Sequence, residues 1–311
     1  MIETLLPAIG VFFAGAAVLS NDAVQTLGTF MSSNKKISWQ KLWLAASSVM
    51  VLTITWGWYH NGGDISFGRL DSIPHVTIQW YHAGVPAILL ILTRLGIPVS
   101  TTFLVLSAFS TAVMFEKMLV KSMVGYAIAA CSAYGFWIML ANFIDEKKKV
   151  PKEQKKYWRF AQWVTTGFLW FTWITHDMAN IAVFLPRQIS VETLICVLVF
   201  LSSVLAFTFK SGGGKIQEIV SKKSSTSYVR SATIIDFIYA IILLVFKEWS
   251  NVPMSTTWVF VGLLCGRELA IATWYNRKIK RVFPLIARDF LKVMMGLAVS
   301  VVVVLLIQGV P

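Results

Sequence analysis

The chain has 311 residues, of which 56% are apolar and only 14% charged, with a mean hydropathy of +0.67. A soluble domain carries about 25% charged residues, so too few are present to cover a water-facing surface, and apolar runs of about 20 residues, long enough to cross a bilayer as a helix, recur throughout. The formal net charge of +13 does not point to a nucleic-acid partner: the basic residues sit in short loops between apolar runs, where the positive-inside rule places them, and they serve topology and contact with anionic lipid.

The opening M-I-E-T-L-L-P-A-I-G-V-F-F-A-G-A-A-V-L-S-N-D has no positively charged start and no small-residue cleavage site. Residues 4–31 are therefore expected to form a first span rather than a removed signal peptide. A second helix is expected at 40–60. Two apolar pieces follow near 74–93 and 98–116, joined by T-R-L-G-I-P, and then a third span at 120–144. Beyond the linker D-E-K-K-K-V-P-K-E-Q-K-K-Y-W-R at 145–159, helices are expected at 157–184 and 190–209. Another broken pair, near 229–247 and 253–273, is joined by K-E-W-S-N-V-P, and a last span covers 286–309. Proline and polar residues at each turn would leave backbone groups unsatisfied in lipid. Such segments survive at membrane depth only where they line a protein cavity, so both pairs are read as re-entrant hairpins. The stretch S-G-G-G-K-I at 211–216 lacks Walker spacing and reads as a flexible loop. Cys131, Cys196 and Cys265 lie in apolar runs and read as buried packing residues, not a disulfide framework.

The chain repeats itself. S-N-D-A-V-Q at 20–25 returns as T-H-D-M-A-N at 175–180, and P-V-S-T-T-F at 98–103 returns as P-M-S-T-T-W at 253–258. Asp22 precedes Ser100 by 78 positions, as Asp177 precedes Ser255, and the copies are offset by 155. Two motifs in one order at one spacing indicate duplication. If the loop bearing Lys35, Lys36 and Lys41 is cytoplasmic, so are the central linker, Lys215, Lys222, Lys223 and N-R-K-I-K-R at 276–281. The outer loops then keep only Asp64, Arg69, Asp71, Lys117, Lys121 and Arg187. Three full spans per half make the halves antiparallel, with both termini outside. The expected plan is an all-α polytopic membrane protein of two inverted-topology repeats, 1–146 and 159–311, around a basic cytoplasmic linker at 147–158. Each repeat has three full spans plus a broken re-entrant hairpin. Inverted repeats are a recurrent plan of secondary transporters, with substrate and ion held at mid-membrane.

Asp22 and Asp177 each lie inside an otherwise apolar helix, where a carboxylate costs on the order of 3 kcal/mol. Gln25 and Asn180 follow three residues later, on the same face. Each pair offers carboxylate and amide oxygens that suit a hard cation such as sodium. Ser100, Thr101 and Thr102, and again Ser255, Thr256 and Thr257, follow a proline that opens the second limb of each hairpin. Such residues cap a helix start, where free N–H groups, hydroxyls and the helix dipole favour an anion. Two such ends meeting would form a cage of neutral donors for a tetrahedral oxyanion. His176 replaces Asn21 in the second copy and suits anion binding, proton relay or a core hydrogen bond, and these remain open. His60, His75 and His82 make no metal spacing and read as solvated or interfacial. Arg94 and Lys247 sit near the hairpin tips, where either could attract the anion, snorkel or pair with a carboxylate such as Glu248, while Arg267 and Glu268 read as a buried polar pair.

The duplicated N-D and P-x-S-T-T elements resemble the inorganic phosphate transporter (PiT) family of sodium- or proton-coupled symporters. Its signature is G-A-N-D-V-A-N-A in each half plus P-V-S-T-T-H, and the stretch around Arg159 and Gln162 is also similar. The resemblance covers both halves. It implies inverted repeats, external termini, a plasma-membrane location and a homodimer. It also implies that Asn21, Asp22, Gln25, Asp177 and Asn180 hold the cations and that the two S-T-T triplets hold phosphate. No cofactor is implied beyond the coupling ion, Na+ or H+. This chain departs from the signature at L-S-N-D-A-V-Q-T and I-T-H-D-M-A-N-I, and Phe103 and Trp258 stand where the histidine ends the second motif. Sulfate or another oxyanion is the alternative substrate. An anion channel is the nearest different function, which the paired aspartates argue against. No H-E-x-x-H, G-x-S-x-G or paired-histidine motif supports an intramembrane enzyme.

Overall fold

The computed structural model describes residues 2–94, 99–140, 151, 153–214, 217, 229–275 and 279–308, and every regular element among them is helical. In chain order these are α1 (Ile2–Ser33), α2 (Trp39–His60), α3 (Trp80–Arg94), α4 (Thr101–Val105) with a 3-10 turn (Leu106–Ala108), and α5 (Ala112–Leu140). The second half holds α6 (Gln154–Asp177), α7 (Ala179–Ala182), α8 (Val191–Lys210), α9 (Val229–Trp249), α10 (Thr256–Trp274) and α11 (Ile279–Gln308). Six of them (α1, α2, α5, α8, α9 and α11) are long and apolar enough to cross a membrane. The chain is a polytopic α-helical membrane protein. Most of the central linker, residues 95–98 of the first hairpin and the side chains of Arg94, Lys215, Lys222, Lys223 and 276–281 lie outside the described residues.

Three elements differ from expectation. α6 is not among the six apolar helices, because it carries Gln162, Thr166, Thr172, Thr175, His176 and Asp177, all turned inward and buried. α9, expected as a hairpin limb, is by itself long enough to span. The limb expected at 98–116 stops early: α4 has five residues, and Thr111 caps a new helix by accepting from the Met114 N–H at 3.3 Å. α5 therefore starts at Ala112 rather than near 120, whereas the matching limb of the second half, α10, runs unbroken for 19 residues.

The inner helices are set by what they bury. Of the apolar stretch of α9, 61% is buried, against 17% of that of α11, so α9 is internal and α11 presents most of its side chains outward as a lipid-facing helix does. α1 packs on α3 as α6 packs on α9, and α1 on α8 as α6 on α2. The 155-residue offset converts each pair into the other. α5 and α10 make the most extensive contact, and small residues allow it: a Cβ on Gly262 would lie 2.3 Å from the Tyr126 carbonyl oxygen, and one on Gly266 would lie 2.0 Å from that of Ala130. This G-L-L-C-G stretch brings two backbones together as small-residue pairs do between membrane helices.

Candidate functional site

α1 passes without interruption through Asn21 and Asp22. Asn21 Nδ2 donates to Asp22 Oδ1 at 2.6 Å and to the Val99 carbonyl at 3.1 Å, which ties α1 to the first hairpin. Gln25 Nε2 donates to Asn21 Oδ1 at 3.4 Å. In the second copy the aspartate is the last residue of α6, and the helix resumes only at Ala179. The interruption coincides with an inserted side chain: Arg69 Nε donates to the Thr175 carbonyl at 3.1 Å, the oxygen that an unbroken ladder would offer to Ala179. Asn180 Nδ2 donates to Asp177 Oδ1 at 3.0 Å. Asp177 Oδ2 and Asn180 Oδ1 are buried with no hydrogen-bond donor. Buried acceptors short of donors carry a desolvation cost that a bound cation would offset.

The two hairpin ends are built alike. Ser100 and Ser255 are both extended N-caps, accepting from the Phe103 N–H at 3.3 Å and the Trp258 N–H at 3.2 Å. The local sequence explains the match, since proline two residues earlier holds the residue before it out of the helical region and serine satisfies the third amide. The two ends meet: Thr102 Oγ1 donates to the Met254 carbonyl at 3.3 Å. They also meet the aspartates, with Thr257 Oγ1 donating to Asp22 Oδ1 at 3.3 Å. Thr256 lies beside Asp177, and the two carboxylates are within electrostatic reach of each other. The Thr101 hydroxyl is buried beside the Asp22 carboxylate. Asn21, Asp22, Gln25, Ser100, Thr101, Thr102, His176, Asp177, Asn180, Ser255, Thr256 and Thr257 are all buried, none more than 6% exposed.

No family model matches the sequence, and no curated protein does. The structure is similar to a solved one described as "The sodium-dependent phosphate transporter", with a TM-score of 0.68 and 17% identity over 100% of both chains. The two share a fold.

Several central residues escaped sequence reasoning. Arg69, expected as a scattered outer-loop charge, is completely buried. Its NH1 donates to the Ser250 and Val252 carbonyls at 3.3 and 3.4 Å, and its NH2 lies 3.4 Å from His176 Nε2. Burial draws this guanidinium down to about 10 despite the nearby Asp177 charge, which leaves it a cation at neutral pH. The sequence signal was the apolar run Ile65, Phe67 and Leu70 around it, all buried with it. Lys121, also assigned to an outer loop, lies on α5 and is buried. His176 Nε2 is 2.8 Å from the Leu243 carbonyl, which only accepts, so that nitrogen bears the proton, and Nδ1 has no partner. Tyr239 Oη donates to the Thr256 carbonyl at 2.8 Å and holds the start of α10.

Asp236 on α9 accepts from Thr29 of α1 at 2.6 Å and from Thr166 of α6 at 2.5 Å, a three-helix junction on one carboxylate. Past it, Arg159 donates to the Ser33 carbonyl, Asn34 Oδ1 and Gln162 Oε1 at 2.9, 2.7 and 2.9 Å, and Gln162 Nε2 donates to Ser33 Oγ. His82, expected as solvated or interfacial, is instead buried and stacked on Phe109 at 4.6 Å. His60 and His75 are exposed, and so, against expectation, are Cys131 and Cys196, on outward faces of α5 and α8, while Cys265 is buried. Lys247 pairs with Glu248 at 3.3 Å rather than facing the centre. Arg267 is buried against Glu268 at 2.9 Å and over the Trp137 ring at 5.2 Å.

Proposed function

We propose that this chain is a secondary transporter of inorganic phosphate, a symporter driven by a sodium or proton gradient. The observation that carries the reading is the meeting of four duplicated elements in one buried centre: two aspartate helices and two S-T-T hairpin ends, linked by Thr257 to Asp22 and by Thr102 to the Met254 carbonyl. The fold shared with a structure described as a sodium-dependent phosphate transporter supports it. Asp22 with Asn21 and Gln25, and Asp177 with Asn180, serve the coupling cations. The unmatched Asp177 Oδ2 and Asn180 Oδ1 are the oxygens best placed to receive one. Ser100, Thr101 and Thr102 with Ser255, Thr256 and Thr257, all buried, serve the anion through hydroxyls and helix-end N–H groups.

Neutral donors hold a phosphate oxyanion without the long residence that buried cations would impose, which a turnover cycle requires. Thr257 couples the two functions, because its hydroxyl bonds an aspartate while its triplet serves the anion. A cation at Asp22 competes for the same oxygen and reorients Thr257 toward the substrate. The halves are taken as inverted repeats that rock about this centre in a plasma membrane, with both termini external and two copies forming a homodimer. The deciding experiment is uptake of radiolabelled phosphate into proteoliposomes with and without an inward sodium gradient, with sulfate as competitor. Sodium-stimulated uptake that sulfate does not inhibit is expected. Sulfate movement in its place changes the substrate, and transport driven only by a pH gradient changes the coupling ion. No movement of either anion refutes the reading.

A further inference from the structure

Two buried basic side chains outside the aspartate centre share two backbone carbonyls. Lys121 on α5, 7% exposed, donates from Nζ to the Ser250 and Val252 carbonyls, both at 2.8 Å, and lies 3.1 Å from Ser250 Oγ. Arg69 donates to the same two carbonyls from the other side, at 3.3 and 3.4 Å. These carbonyls form the turn between α9 and α10, the tip of the second hairpin. Among the described residues no carboxylate oxygen lies within 4.0 Å of either cation. Arg69 lies within electrostatic reach of Asp177, whereas Lys121 meets only two carbonyls and a hydroxyl, and dipoles satisfy its donors without neutralising a buried charge.

Lys121 also forms part of the wall of an open cavity of about 450 Å³, within the usual range of small-ligand sites of about 300–1,000 Å³. Glu116 and Lys117 stand in the same wall, and Trp249, Ser250 and Val252 close it on the hairpin side. Behind that turn the contacts continue from Arg69 to His176, the neighbour of Asp177. A buried positive pair thus lies between the cavity and the centre.

We propose that this cavity is a second anion subsite, where a tetrahedral oxyanion such as inorganic phosphate docks on Lys121 and Lys117 and draws Lys121 away from the hairpin carbonyls. The anion supplies a counter-charge to Lys121, and the freed carbonyls loosen the hairpin tip over the centre. Service as an entrance rests on the transporter reading, whereas the binding itself does not.

The test is equilibrium binding of radiolabelled phosphate to the full chain in nanodiscs of zwitterionic lipid, in a Ser100→Ala/Thr256→Ala background that weakens the central site. Phosphate binding is expected to persist there, to weaken at least about tenfold in Lys121→Met, and to recover in Lys121→Arg. Lys117→Gln, an exposed change that leaves the fold intact, is expected to weaken it a few-fold, about 3 times. Equal binding by the parent and by both neutralised variants overturns the proposal, as does no phosphate binding by the parent. Repeating the parent with phosphatidylglycerol in the disc separates the two sources of phosphate: loss of free phosphate binding would make a lipid headgroup the occupant and overturn the docking of a free ion. Lys121-dependent binding without any uptake leaves the subsite standing and removes the transporter reading, and uptake without such binding does the reverse.

Discussion

Thr257 and Asp22 are 235 positions apart, yet the threonine hydroxyl donates to the aspartate Oδ1 at 3.3 Å. A residue of the second hairpin therefore completes the polar shell of the first aspartate helix. Hydrogen bonds to charged groups contribute roughly 1.5–3 kcal/mol. Thr257→Val keeps the shape and removes the hydroxyl, and should raise the KM for sodium and for phosphate together, about tenfold each. Thr257→Ser should restore both. Uptake kinetics measured against each ion check this, and a change in one KM alone would separate cation from anion.

The aspartates themselves are expected to be indispensable. Asp22→Asn and Asp177→Asn remove the negative charge at constant size, and loss of a buried charged ligand costs roughly 2–5 kcal/mol. Sodium-driven phosphate uptake should fall at least about a hundredfold in each. Size-exclusion profiles should stay unchanged, since asparagine keeps the size of each side chain and one acceptor oxygen for its hydrogen bonds. Normal uptake by either variant would remove that aspartate from the coupling site.

At the contact between α5 and α10, the two helices touch backbone to backbone. Gly266→Ala would place a methyl 2.0 Å from the Ala130 carbonyl oxygen, and Gly262→Ala one 2.3 Å from that of Tyr126. Neither neighbour is a flexible side-chain end, so the helices must separate. Overpacking of this kind costs about 1–3 kcal/mol, and melting temperatures should fall for both variants. Gly84→Ala, which meets nothing within 4 Å in α3, should be neutral or slightly stabilising because alanine favours a helix.

Asp236 is expected to matter for assembly more than for the coupling ions. Asp236→Ala leaves the Thr29 and Thr166 hydroxyls buried without their acceptor, at a cost of about 1–3 kcal/mol for each unmatched group. The melting temperature should drop clearly. Asp236→Asn, which keeps one acceptor oxygen, should recover part of the loss. A fold as stable as the parent in Asp236→Ala would show that the junction is not structural.

Arg69 holds three backbone carbonyls with a fixed planar fork. Lysine lacks that geometry, so Arg69→Lys should behave more like Arg69→Met than like the parent, in both folded yield and phosphate uptake. A fully active Arg69→Lys would show that the charge alone is needed.

Much of the candidate centre was legible before any coordinates. The two N-D/H-D elements and the two P-x-S-T-T elements are short, local and repeated at one offset, and all twelve residues they supplied are buried in the structure. The caps at Ser100 and Ser255 follow from the local order proline, residue, serine. What stayed hidden were residues whose surroundings come from far along the chain. Arg69 and Lys121 read as loop charges because a cation's burial depends on the carbonyls it meets, here at Ser250 and Val252, more than 125 positions away. The early end of α4 was hidden for a different reason: Ser107, Ser110 and Thr111 are compatible with a helix, and Thr111 capping of Met114 won only once α5 had a partner in α10.

Apolar runs and motif order alone established the membrane class, the repeated motifs and the twelve polar residues of the candidate centre as internal. Apolar run length and motif spacing are properties of neighbouring residues, and lipid penalises every unmatched polar group along them. Tertiary structure alone decided which polar group meets which. It joined Thr257 to Asp22, placed Arg69 beside His176, and left Asp177 Oδ2 and Asn180 Oδ1 as buried acceptors without donors. Such pairings follow from how helices pack across the whole chain, where a shift of one helical turn exchanges one partner for another without altering any local pattern.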